Sequence, residues 1–290
     1  MSWNSGLASI GRAVVVVFFA GLTATSAQAV PDVTWTASTS GEGVADEVAP
    51  GYTTFTVTND VETPYSMLVF KLKNGTDLTA FEAANDALNV AFSGQGDPSP
   101  LMNKVLTLAD VATEINPAPG QSESVGLILE PGNYVLDGGA DLEQGGPATK
   151  RTYHSFTVAG QPQATAPTAD VTVQLSEFAF TLPDTIEAGE QTWKVSNVGK
   201  EVHHMVLFKL NEGTTMDDFM NALSGEQGPP PAEDAGYVGT SSSGQSSFHM
   251  LDFTPGSYVA ICFIPDHAAS GDGAPHFTHG MIKNFEVASN

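Results

Sequence analysis

The sequence predicts an all-β protein built from two tandem β-sandwiches, each interrupted by a short helical insertion. Three observations carry this. Short stretches rich in β-branched and aromatic residues, such as QTWKVSN, VHHMVLFKL, SFHMLDF and SYVAICF, are separated by Gly, Pro and Asn turns. The first half of the chain repeats in the second. The length of 290 residues fits two domains of ordinary size.

In chain order, residues 1–29 come first. Arg12 precedes the apolar run 13–22, and Ala27-Gln28-Ala29 supplies small residues for cleavage. That order is the one a secretory signal shows, and the run is too short to span a bilayer. The expected first unit is 30–158 and the second 169–290, joined by a Pro-, Ala- and Thr-rich linker at 159–168. The repeat is direct. GYTTFTVTNDVETPYSMLVFKL (51–72) aligns with GEQTWKVSNVGKEVHHMVLFKL (189–210), and GQSESVGLILEPGNYVL (120–136) with GQSSFHMLDFTPGSYVA (244–260). HSFTV (154–158) and KNFEV (283–287) also correspond. One helix is expected in each unit. In TTMDDFMNALSG, Met216, Phe219, Met220 and Leu223 share a face at 3–4 residue spacing, which reads as packing. DLTAFEAANDAL repeats the pattern in the first unit.

The formal charge of −23 disfavours binding to nucleic acid or anionic lipid. It suits a partner with a basic docking surface, and it serves solubility equally well. Cysteine usage says more, because exported domains ordinarily pair their cysteines and this chain has only Cys262. The alternatives are a buried inert thiol or a functional one.

The two units differ at the positions that could carry chemistry. His203-His204 replace Tyr65-Ser66, and Cys262 replaces Gly138. Six of the seven histidines lie between 203 and 279. The first unit has no counterpart of the segment from Cys262 to Met281. A thiolate, imidazoles and a thioether form a soft set that suits copper, and two His with one Cys and a weak axial Met is the blue-copper arrangement. Chemistry is therefore expected in the second unit.

The residues GSYVAIC followed by PHFTHGMIKNFEV resemble the ligand loop and last strand of the cupredoxins, the plastocyanin and pseudoazurin group. Gly256, Tyr258 and Cys262 match the strand that ends in the cysteine ligand, and His276 and Met281 match the H-x4-M element. NVGKEVHHMVLF resembles the region of the upstream histidine. The resemblance implies a Greek-key cupredoxin fold and one type 1 copper per chain. It also implies the ligands His204, Cys262, His276 and Met281. Two alternates stay open. Thirteen residues separate Cys262 from His276, more than the family usually has, and His267 lies at family-like spacing. Strand alternation allows only one of His203 and His204 to point inward, and placing Phe208 and Val206 on the core side selects His204. His279 is expected on the rim of the site, His249 at a surface or hydrogen-bonded, and His154 without a role.

The expected function is electron transfer by a periplasmic or secreted blue-copper protein with a redox partner protein and no integral membrane segment after cleavage. Copper delivery or storage, or a metal-free scaffold role, are the alternatives. An enzyme is not expected: Cys262 is flanked by Ile261 and Phe263, and no Ser-His-Asp, phosphate-loop or His-Glu-x-x-His pattern occurs.

Overall fold

The computed structural model describes residues 30–140, 151–225, 231–267 and 273–289. The expected signal, residues 1–29, lies outside the described residues. None of the described helices is long and apolar enough to cross a membrane.

The first half runs β1 (Asp32–Thr36), β2 (Glu47–Val48), β3 (Gly51–Thr58), β4 (Tyr65–Leu72), α1 (Leu78–Val90), α2 (Pro98–Leu108), β5 (Ala109–Ile115), β6 (Ser122–Leu129), β7 (Gly132–Ala140) and β8 (Thr152–Val158). The second runs β9 (Val171–Ser176), β10 (Ala179–Thr181), β11 (Thr185–Glu187), β12 (Gly189–Asn197), β13 (His203–Leu210), α3 (Met216–Leu223), β14 (Ala232–Ser241), β15 (Ser246–Phe253), β16 (Gly256–Ile261) and β17 (Ile282–Ala288).

Strand order is the same in both halves. The order β2-β8-β7-β4-β5 of one five-stranded sheet becomes β11-β17-β16-β13-β14 in the other. The opposing layers, β1-β3-β6 and β9-β12-β15, join edge to edge through β6 and β15 into one seven-stranded sheet that ends in β10. Phe248 faces Gly126 in that junction, and Tyr52 lies across the glycine with its ring edge on Phe248. A Cβ on Gly126 would fall 2.2 Å from the Tyr52 hydroxyl, so the crossing needs glycine. A second junction joins β5 to β14, where the Ser242 N–H donates to the Val111 carbonyl at 2.8 Å.

Alternation along the strands sets the cores. In β12, Trp193 and Val195 point inward while Thr192 and Lys194 point out, and Trp193 packs on Phe253 at 5.1 Å. Each such buried side chain contributes on the order of 2 kcal/mol. The outer face of β13 is apolar for a separate reason. Phe208 packs there against Phe219 of α3, at 5.5 Å. Thr215 and Asp218 form a reciprocal cap that starts α3. Met216 and Met220 of this helix are packing residues, as expected.

Among the described residues, the first half carries two α-helices where one was expected. Asp97 caps α2 by accepting from the Ser99 N–H, and Pro98 opens it, a start signal present in the sequence. This helix reaches the second half: Asn103 donates to the His267 carbonyl at 3.0 Å.

Candidate metal centre

The site grows from two backbone segments held together at one end of the second sandwich. On one side, Asn197 ends β12 and fixes the turn before β13. Its side-chain amide donates to the carbonyls of Glu201 and Ser241, both at 2.7 Å, and its oxygen accepts from the Gly199 N–H. Gly199 permits a close approach. A Cβ there would lie 2.8 Å from a Glu177 carboxylate oxygen and 3.0 Å from His203 Nε2. On the other side, Cys262 leaves β16 and donates its N–H to the Met281 carbonyl at 3.1 Å, while its own carbonyl accepts from Phe277. The His276 N–H donates to Ile264, and Met281 donates back to His276. A single 3-10 turn, His276–His279, closes on Gly280, whose φ of 108° is the left-handed region that favours glycine.

Three ligand-type atoms therefore converge. His203 Nδ1 lies 3.1 Å from His276 Nδ1, and Cys262 Sγ lies 3.5 Å from His276 Nδ1. All three residues are buried, and their ligating atoms lie within 4.8 Å of one another. Bond lengths of about 2.0 Å to nitrogen and about 2.3 Å to sulfur, at a tetrahedral angle, give edges of about 3.3 Å between nitrogens and about 3.5 Å between nitrogen and sulfur. The observed spacings match one ion held by all three residues. Met281 is fully buried in the same cluster as Cys262.

Burial sets the charge state of these side chains. It pushes the His203 imidazole down to about 3, with His276 adding to the effect, and it pushes the Cys262 thiol up to about 12. His276 is also lowered by burial. His203 and Cys262 are thus held in their neutral forms, and a soft cation binding here must displace the thiol proton.

The inward histidine is His203, which corrects the expectation of His204. His203, Met205 and Leu207 face the sandwich core. Val206 and Phe208 face α3 instead, so their apolar character did not mark the inner side. His204 turns to the junction of the two halves. Its Nε2 accepts from the Phe263 N–H at 2.8 Å, and its Nδ1 is 3.4 Å from the Tyr237 hydroxyl. It lines a cavity of about 480 Å³ together with Leu68, Arg151 and Tyr237. Burial lowers its imidazole to about 4.

His267, the other alternate, joins a neighbouring group and not the thiol. Its Nδ1 is 3.2 Å from Glu201 Oε2, and His276 Nε2 is 3.3 Å from the same oxygen. His279 is half-buried against Phe178, at 4.8 Å, and 3.8 Å from Asp266. His249 is buried and bonded to Ser247 at 2.8 Å. His154 lies 4.0 Å from Asp46. Glu201 and Asp266, both buried, escaped the sequence reading. Their positions directly beside the histidines, in KEVHH and PDH, were the available signal.

The matching place in the first half is filled. Tyr65 and Gly138 stand where His203 and Cys262 stand, and the Trp35 indole donates to the Tyr65 hydroxyl at 2.9 Å across it. A Cβ on Gly138 would come within 2.4 Å of the indole. Side chains occupy the space an ion would need.

No family model matches the chain, and no curated protein matches it. Several solved structures are similar in fold. Reduced auracyanin from Roseiflexus castenholzii matches 40% of this chain and 94% of its own, at 22% identity and a TM-score of 0.27. A multicopper oxidase matches 88% of this chain and 77% of its own, at 13% identity and a TM-score of 0.23. The copper-containing nitrite reductase of Thermus scotoductus SA-01 matches 90% and 55%, at 9% identity and a TM-score of 0.22. The expectation that an enzyme is excluded is corrected at this point, because two of these three similar structures are enzymes by their own descriptions. The architecture is all-β, with two sandwiches that share one strand order.

Proposed function

We propose that this chain is an exported copper protein that transfers electrons, and that His203, Cys262 and His276, with Met281 buried beside them, would hold the copper. The single observation that carries the reading is the convergence of one thiol and two imidazole nitrogens, all buried, at spacings that fit one ion. When bound, copper supplies a one-electron couple. The residues do the rest. Cys262 gives up its proton on loading, and its N–H donation to Met281 together with the acceptor role of its carbonyl fixes where the sulfur lies. His276 is held by its backbone bonds to Ile264 and Met281, and the sheet fixes His203. A scaffold of this kind limits ligand movement between oxidation states. Phe178 and Phe277 exclude water from the His276 side, Phe178 at 5.2 Å between ring centres.

Residues 1–29 support export. The charge of −23 supports a redox partner that docks through a basic surface, with association that weakens as salt rises. The two sandwiches, 30–158 and 169–290, serve as a filled structural half and a metal-bearing half.

Loading the protein with Cu(II) tests the proposal. An intense visible thiolate-to-copper band, retained through repeated cycles of reduction and reoxidation, is expected. Its absence, or loss of the metal on the first reduction, contradicts electron transfer at this site.

A further inference from the structure

We propose a second metal site, formed by Glu201, His267 and the far nitrogen of His276, which holds a divalent transition ion bridged to the first site through the His276 ring. The inference rests on the reading of the first site, since the two share a residue.

The geometry is specific. Glu201 Oε2 lies 3.2 Å from His267 Nδ1 and 3.3 Å from His276 Nε2. The three ligating atoms lie within 4.8 Å of one another, on residues that are all buried. A tetrahedral ion with bonds of about 2.0 Å to nitrogen and oxygen has edges of about 3.3 Å, the spacing observed.

A second observation points the same way. His276 Nε2 is fully buried, and the Glu201 carboxylate oxygen 3.3 Å away is the polar group it faces. An ion at the centre of a tetrahedron would draw Glu201 Oε2 and His276 Nε2 to an edge of about 3.3 Å, the separation they have.

The donor set selects the ion. Two imidazoles and one carboxylate suit Zn(II), Cu(II) or Co(II), whereas the thiolate belongs to the first site. A cation here would also lie beside the buried carboxyls of Glu201 and of Asp266, the latter fully buried and 3.8 Å from His279. The first half contributes to the support, because Asn103 of α2 holds the His267 carbonyl. Binding at both nitrogens of His276 releases its remaining ring proton to solvent, so the bridge forms as imidazolate.

The full-length copper-loaded protein is titrated with Co(II). Binding is read by visible absorption of the cobalt, metal-to-protein ratio, and broadening of the Cu(II) paramagnetic resonance signal. One cobalt per chain beyond copper is expected, with the copper signal perturbed. Glu201→Gln and His267→Ala should each weaken cobalt binding at least 10-fold while keeping the thiolate band. His267→Gln replaces the alanine variant if circular dichroism shows misfolding. Cys262→Ser should lose the band and keep the cobalt. A thiolate band with no cobalt equivalent overturns the second site and leaves the first intact. Cobalt bound with undiminished affinity by His267→Ala overturns it too. Cobalt binding that depends on His267 in a protein without a thiolate band supports the second site and removes the first.

Discussion

Truncating each member of the His203-His204 pair separates a ligand from its neighbour. His203 is fully buried with Nδ1 3.1 Å from His276, so His203→Ala removes one of three converging donors. Loss of a mere hydrogen-bond partner of a ligand costs 10- to 100-fold in metal affinity, so loss of the donor itself should exceed about 100-fold. His204→Ala acts differently. It leaves the Phe263 N–H without its acceptor, 2.8 Å away, at a cost of roughly 1–3 kcal/mol in stability. Because Phe263 follows Cys262, copper affinity should fall by no more than about 10- to 100-fold. The assay is competition for Cu(II) against a chelator, followed through the thiolate band, with urea unfolding of the metal-free protein alongside. Loss of the band in His204→Ala together with its retention in His203→Ala would refute the assignment.

Gly138→Cys should not create a second thiolate site, because the indole of Trp35 lies within 2.4 Å of the new Cβ; the expected result is destabilisation by at least about 1–3 kcal/mol and no added visible band on copper loading. Gly239→Ala drives a Cβ to 1.9 Å from the Glu114 carbonyl at the junction of β5 and β14. It should lower the urea midpoint by a similar energy, and an unchanged midpoint would show that the junction yields freely. His249 is buried, and burial lowers its imidazole from 6.5 to about 4. The unfolded chain therefore binds more protons in that window. Stability from this group is complete above pH 6.5 and is lost as pH falls to about 4, by about 3 kcal/mol. His249→Gln should flatten unfolding free energy against pH across that range, and an unchanged slope would contradict the burial argument.

Much of this was legible in the sequence because local signals and global pairing agree. The turn-separated strands, the matched halves, and the capped helix with its Met216–Leu223 face all emerge from residue patterns. The Cys-to-Met segment was legible because backbone spacing along a turn is local. The choice between His203 and His204 was not, because it depends on what covers each face of β13. With α3 packed on the outer face, Phe208 is apolar without pointing into the sandwich. Helix α2 carried its start signal at Asp97-Pro98 but has no match among the described residues of the second half. Glu201 and Asp266 gain meaning only when the loop returns to the histidines, a long-range event that no local pattern records. The fused seven-stranded sheet is of the same kind, since strand edges do not name their partners. The exclusion of an enzyme rested on missing motifs, and missing motifs exclude less than present ones establish.

Diffraction from copper-loaded crystals, with anomalous signal collected at the copper edge, tests the central claim most directly. A peak bonded to His203 Nδ1, His276 Nδ1 and Cys262 Sγ, with Met281 on the axial side, is the predicted result. A peak elsewhere, or one in which Cys262 takes no part, would contradict it.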